Sequence, residues 1–217
     1  MLRTDLIRPL PELLREHAVR HADRMSFSDG QRSVTYVELE RRTRRLAGHF
    51  AELRLQPGDR VMICLGNRVE TVESYFAVAR ASAVAVPVNP QSTDAEMSYL
   101  LDDCGARLVI TDEGHVEQFG RMLATHPDLR LVVVGAGKPL PGRVSWESLL
   151  AREPATPARD DLGLDDPAWI IYTSGTTGLS KGVVSSQRGC LWSVAACYVP
   201  VLGLGVGDRV LWPLPLF

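Results

Sequence analysis

The stretch PGDRVMICLGNRVETVESYFAVARASAVAVPVNP, Pro57 to Pro90, decides the fold. Arg60 to Leu65 is a short apolar run opened by a Pro57-Gly58-Asp59 turn and closed by Gly66-Asn67, the length of a buried strand. A helical stretch from Arg68 to Ala81 follows, and then a second apolar run, Ala83 to Val88, closed by Asn89-Pro90. Strand, helix, strand is the unit of a right-handed crossover between parallel strands.

The same alternation continues downstream. Thr93 and Glu96 form a capping box ahead of a helix to Asp103, Ala106 to Thr111 is a third strand, and a helix over Val116 to Thr125 precedes a fourth strand, Leu129 to Val134. Upstream, Leu10, Leu13, Leu14, Ala18 and Val19 recur at helical spacing, and Asp29-Gly30 joins two β-prone runs as a hairpin. Thr35 with Glu38 makes another capping box, behind which Leu39, Thr43, Leu46, Phe50 and Leu53 form an amphipathic stripe. Arg41, Arg42, Arg44 and Arg45 flank that stripe and read as its solvated side. The fold class is therefore α/β, a mostly parallel sheet with helices on both faces. From 136 to 166 the chain is rich in proline and charge, with one short helical piece around Trp146 to Arg152. We read 1–135 as an N-terminal α/β subdomain, 136–166 as a connector and 167–217 as the start of a second subdomain.

With 217 residues, 45% of them hydrophobic, the chain can bury a sizeable core. Its formal charge of −2 offers no basic excess for nucleic acid. No apolar run is long enough to span a bilayer, and Met1 to Leu10 lacks a signal-peptide core, so a cytoplasmic protein without a membrane partner is expected. Cys64, Cys104, Cys190 and Cys197 are scattered, without a CxxC pair, and read as buried free thiols. His17 and His21 share a helix face but have no acidic or thiol companions. They read as solvated, and no metal site is expected.

Chemistry concentrates in one place. The apolar strand Ala168 to Tyr172 runs into Thr173-Ser174-Gly175-Thr176-Thr177-Gly178-Leu179-Ser180-Lys181-Gly182, followed by the β-prone Val183 to Ser186. Glycines let backbone N–H groups converge on an anion, hydroxyls add donors and a lysine adds charge, which are the requirements of a polyphosphate site. The bland alternative is a flexible Gly/Ser/Thr loop without a ligand. A Walker A loop is excluded, because it needs Gly-Lys-Ser/Thr and here the lysine precedes the glycine. Gly203, Gly205 and Gly207 fall short of a dinucleotide fingerprint, with Asp208 at its third glycine, and read as a turn.

YTSGTTGLSKGV, Tyr172 to Val183, closely resembles the phosphate loop of the adenylate-forming superfamily: acyl- and aryl-CoA synthetases, luciferases and the adenylation domains of peptide and polyketide assembly lines. It departs from the usual YTSGTTGxPKGV form at Ser180, where the family has proline. VTYVEL (Val34 to Leu39), Gly58-Asp59-Arg60-Val61, Asn67 with Glu70, SAVAVPVNP (Ser82 to Pro90) and Ala106 to Asp112 resemble the family's N-terminal scaffold in its usual order. Val210 to Phe217 reads as an apolar, strand-like run, and within it PLPLF, Pro213 to Phe217, resembles the start of a motif that lines the acyl pocket. Ser186 and Gln187 stand where the family commonly has Thr-His.

The resemblance implies a reaction in which a carboxylate attacks the α-phosphorus of MgATP, pyrophosphate leaves, and a thiol of CoA or phosphopantetheine takes the acyl group from acyl-AMP. It implies that Thr173, Ser174, Gly175, Thr176, Thr177 and Gly178 cradle the β- and γ-phosphates, while Lys181 orders the loop or neutralises charge. The family's adenine-binding segment, ribose-binding aspartate and catalytic lysine are expected after residue 217. The chain then reads as a truncated N-terminal core portion, inactive alone. Three functional readings follow: part of an acid–CoA ligase; the starter-unit ligase domain of an assembly line, with an acyl carrier protein as partner; and a non-catalytic nucleotide-binding or interaction domain. In the first two the substrate is a small carboxylic acid.

Overall fold

The structure is a computed structural model that describes residues 2–136, 142–173 and 178–217. Helix α1 (Leu10–Arg20) leads to an antiparallel ribbon, β1 (Met25–Ser28) with β2 (Ser33–Thr35), and to helix α2 (Tyr36–Glu52). The alternating part comprises β3 (Arg60–Cys64), α3 (Val69–Arg80), β4 (Val84–Pro87), α4 (Asp94–Cys104), β5 (Ala106–Asp112), α5 (Val116–Leu123), β6 (Arg130–Val134), β7 (Val144–Ser145) and α6 (Trp146–Ala151). Strands β8 (Pro167–Thr173) and β9 (Lys181–Ser186) and helix α7 (Gln187–Ser193) complete it, and α7 runs on into a π-helical stretch, Val194–Tyr198. Strands β3 to β9 form one sheet in the order β7-β6-β5-β3-β4-β8-β9. Every neighbouring pair is parallel except β8 and β9.

Both capping boxes form. Thr35 Oγ1 accepts from the Glu38 amide at 3.3 Å and the Glu38 carboxylate accepts from the Thr35 amide at 2.9 Å. Thr93 and Glu96 repeat this at 3.3 and 2.8 Å. Side chains of each central strand alternate between two cores, as the two-residue period of a strand dictates. Val61 and Ile63 pack with Leu46 and Phe50 of α2, Ala77 and Val78 of α3, and Trp146 and Leu149 of α6. Met62 and Cys64 pack on the other side with Met97 and Leu101 of α4 and Phe119 and Met122 of α5. Burial on both faces is why these strands read as continuous apolar runs.

The stretch 142–166 is bound to the helices by charge and by close approach. Arg80, 1% exposed, donates to both carboxylate oxygens of Asp160, at 2.8 and 2.9 Å. Its guanidinium also reaches the Glu40 carboxylate at 3.0 Å and the Glu40 carbonyl at 2.9 Å. A Cβ on Gly48 of α2 would lie 2.3 Å from the Thr156 carbonyl, so only glycine admits the chain crossing there.

Four sequence expectations are corrected. Arg42 and Arg45 are not a solvated flank: Arg42 pairs with the fully buried Glu73 at 3.0 Å, and Arg45 donates to Glu153 at 2.7 Å and to the Leu150 carbonyl at 2.9 Å. Helix α2 lies between α3 and α6, which leaves only Arg41 and Arg44 outside. His17 and His21 are half-buried rather than solvated, stacked at 5.8 Å with Tyr36 against both, and burial lowers the His17 pKa. Cys64 and Cys104 are buried, whereas Cys190 and Cys197 are exposed because they sit on the outer side of α7 and its π-helical extension. The run Val210 to Phe217 is no strand; Val210, Leu211, Trp212 and Leu214 are exposed and no ladder partner stands beside them among the described residues. Among those residues, too, no helix is long and apolar enough to cross a membrane, and none of the His, Cys, Asp and Glu side chains cluster as a metal site.

Candidate phosphate-binding site

The parallel strands all end on one edge of the sheet, and β3 and β5 leave that edge in opposite directions: the chain passes from β3 to β4 on one side, then returns to place β5 on the other. Crevices of this kind, outside the carboxyl ends of the strands, are where open α/β sheets bind ligands. Four segments meet this edge: Gly66-Asn67 after β3, Asn89-Pro90 after β4, the β5 exit and the paired ends Thr173 and Lys181 of β8 and β9. His115 ties two of them, its Nε2 lying 3.0 Å from the Pro90 carbonyl and its Nδ1 2.7 Å from Asp112.

The glycine- and hydroxyl-rich loop is the tip of a hairpin. Strands β8 and β9 pair down to Tyr172 opposite Gly182 and Thr173 opposite Lys181. Two of the expected ligands, Thr173 and Lys181, therefore face each other across the mouth of the loop, both exposed. Gly178 is exposed, and a Cβ there would meet nothing within 4 Å. Ser174, Gly175, Thr176 and Thr177 lie outside the described residues. Among the described residues no carboxylate lies within ion-pair distance of Lys181. Its charge is therefore not spent on a protein neighbour there. Gly182 has a packing reason, since a Cβ would come within 2.7 Å of Ile170 Cγ2 and 3.2 Å of the Tyr172 ring.

Helix α4 contributes two side chains that the sequence alone did not mark. The Tyr99 hydroxyl donates to the Ser180 carbonyl at 2.8 Å, and the Tyr172 hydroxyl donates to Asp103 Oδ2 at 2.5 Å. Burial, with Asp103 beside it, pushes the Tyr172 phenol up, so the hydroxyl remains a donor. Ser180, the departure from the family's proline, offers its backbone oxygen to this contact. Tyr99 and Asp103 are four apart in the sequence, which was the only signal of a shared helix face.

The other departure and the segment 213–217 also have partners. Ser186 caps α7 by accepting from the Gly189 amide at 3.2 Å, and Gln187 is fully buried. Asn67 holds the segment 213–217: its Nδ2 donates to the Leu214 carbonyl at 2.8 Å and its Oδ1 accepts from the Leu216 amide at 2.9 Å. The Tyr75 hydroxyl donates to the Leu216 carbonyl. An amide fork of this kind occupies one backbone donor and one acceptor as a neighbouring strand would, which explains how the segment lies extended without a ladder.

A parallel sheet covered on both faces, with a phosphate-type loop at its carboxyl edge, is the N-terminal architecture of adenylate-forming ligases. Residues 14–217 match the family of AMP-binding enzymes, and the chain belongs to that family. It is 37% identical over 214 residues to the naringenin synthase of Pestalotiopsis fici, a match that covers 96% of this chain and 8% of that protein. It is 32% identical over 210 residues to the 2-succinylbenzoate–CoA ligase of Geobacillus kaustophilus, covering 96% of this chain and 39% of that one. Among solved structures, a benzoate CoA ligase from Burkholderia xenovorans LB400 superposes with a TM-score of 0.78 at 26% identity, over 91% of this chain and 38% of the ligase. The chain thus spans less than half the length of each of these relatives.

Proposed function

We propose that this chain supplies the pyrophosphate-holding part of an ATP-dependent carboxylic acid ligase acting in the cytoplasm. The observation that carries the reading is the hairpin mouth, where Lys181 stands opposite Thr173 with no described carboxylate to neutralise it. In the reaction a carboxylate oxygen of the acid attacks the α-phosphorus of MgATP, the bond to the bridging oxygen of the β-phosphate breaks, and pyrophosphate leaves with that electron pair. The thiol of CoA then attacks the acyl carbon, losing its proton, and AMP departs. The protein's work is positioning and charge stabilisation. Thr173 to Gly178 cradle the β- and γ-phosphates, Lys181 orders the loop or meets the developing charge, and the family's catalytic lysine is supplied by sequence after Phe217. By this reading the 217-residue chain alone gives no carboxylate-dependent ATP–pyrophosphate exchange above a protein-free control.

The test is Lys181→Met in a form of the protein that carries those later segments. Loss of one group that stabilises transition-state charge costs on the order of 10²-fold in rate. Stability should move by no more than about 0.5 kcal/mol, because the residue is exposed. Pyrophosphate release within about twofold of wild type overturns the assignment of Lys181.

A second reading, a starter-unit ligase domain that loads a phosphopantetheine thiol on an acyl carrier protein, is favoured by the naringenin synthase match, which occupies only 8% of that protein. Acyl transfer from the adenylate to a carrier protein in preference to free CoA distinguishes it from the first.

A further inference from the structure

We infer that Tyr99 and Asp103 are positioning residues for the phosphate loop: one face of α4 grips both stems of the β8–β9 hairpin loop and so presets the geometry in which it meets phosphate. This rests on the phosphate-site reading above.

The two contacts bracket the loop. Asp103 accepts from Tyr172, just before the loop leaves β8, and Tyr99 donates to Ser180, just before it enters β9. The β8–β9 ladder ends at the pair Thr173 and Lys181, so the Ser180 carbonyl lies beyond the last paired residue. The helix carrying both contacts is well fixed. Its N-terminus is closed by the Thr93–Glu96 capping box, and Met97, Leu100 and Leu101 are buried against the sheet. Its C-terminus ends on Gly105 in the left-handed conformation, with the Arg60 guanidinium donating to the Cys104 and Gly105 carbonyls at 2.6 and 2.9 Å.

By composition the loop itself is the opposite: its glycines and small hydroxyl residues offer little apolar surface to hold a conformation. A loop anchored at both stems has fewer arrangements to lose when an anion binds, and pre-ordering of that kind appears as tighter binding. The consequence falls on ATP and not on the acid.

The chain makes a direct test available. Its only lysines are Lys138 and Lys181, and cuts after the two give products of different length, so each site is followed separately. Digestion of the native chain by endoproteinase Lys-C therefore reads cleavage at Lys181–Gly182, which requires the hairpin mouth to open. Tyr99→Phe and Asp103→Leu each remove one grip, the donor in one case and the acceptor in the other, while keeping most of the side chain's bulk. Each should raise the cleavage rate roughly three- to tenfold, the factor that one net hydrogen bond converts to, without a matching fall in melting temperature. In the longer, active protein the same variants should raise the KM for ATP by a similar factor, change kcat less, and leave the KM for the acid alone. A purely structural role would instead lower the active fraction, and with it kcat, at constant KM. Unchanged cleavage in both variants overturns the clamp, as does cleavage that rises only in step with lost thermal stability. An unmoved KM for ATP beside faster cleavage overturns its role in phosphate positioning. Failure of the underlying phosphate reading shows separately, as an active Lys181→Met enzyme, and leaves the proteolysis result standing.

Discussion

The side-chain oxygen of Gln187 accepts the backbone N–H of Leu10 at 2.7 Å, which ties α1 to α7 across almost the whole chain. The Gln187 amide nitrogen donates to the Leu162 and Gly163 carbonyls at 3.0 and 3.2 Å, so one buried amide serves three backbone groups. Leu10 N is a first-turn donor of α1, which has no local side-chain cap. Gln187→Leu leaves all three groups without this partner and should cost about 3 kcal/mol, lowering the melting temperature by roughly 6–12 °C for a chain of this size. Gln187→His, whose ring supplies one donor and one acceptor, should retain more stability than Gln187→Leu. Thermal melts of the two variants decide it; equal losses would remove hydrogen bonding as the cause.

Arg80 and Asp160 make a second long-range tie. Asp160→Ala leaves the guanidinium of Arg80 buried with only Glu40 as counter-charge, and breaking a buried pair in this way costs about 3 kcal/mol or more. Arg80→Met removes the buried charge itself and keeps its apolar stem, so it should cost less. Urea denaturation of both variants should rank them in that order.

Glu52 sets a pH dependence. His49 Nδ1 at 2.9 Å, the Ala155 amide and Arg152 hold its carboxyl at about 2, with the His49 contact the largest cause. A folded-state value below the unfolded one means stability that is present above about pH 4.5 and lost as pH falls toward 2. Glu52→Gln should therefore be less stable than wild type near neutrality, and the gap should narrow steadily below about pH 4.5. Denaturant midpoints across that range are the measurement, and a pH-independent gap counts against it.

Thiol reactivity should divide the cysteines in half. Burial pushes Cys64 up to about 12 and Cys104 up to about 11; Cys190, which partial burial also raises, and Cys197 are exposed to reagent. Because the thiolate is the reacting species, a disulfide reagent should titrate Cys190 and Cys197 in the native chain and all four cysteines in urea. Rapid reaction at Cys64 would mean that the sheet opens.

The fold was legible because its signals are local. Apolar runs such as Arg60 to Leu65, the capping boxes at Thr35 and Thr93, and the turn at Pro57-Gly58 each depend on residues within a few positions of one another. The hairpin that carries the loop was legible for the same reason, since Ala168 to Ser186 is one continuous strand–loop–strand pattern. What the sequence hid are contacts between distant residues. Nothing near Tyr99 says that its hydroxyl meets Ser180, nothing near Asn67 says that it holds Leu214 and Leu216, and the packing of α2 against α3 and α6, which turned Arg42 inward, is a property of the assembled helices. Likewise Cys190 and Cys197 look no different from Cys64 until the outer face of α7 is known.

The place of β8 in the sheet has a consequence for how the chain is made. β8 pairs with β4 through Ala85 and Trp169, yet β5, β6 and β7 are all synthesised between them. A ribosome adds about 5–20 residues per second, so for some seconds the nascent sheet has partners for β3, β5 and β6 while the far edge of β4, fully buried in the finished fold, stands open. An open apolar edge invites pairing with another chain. The hairpin that carries the candidate phosphate loop is also what covers that edge, so β4 waits unpaired on this side until the loop itself has been made.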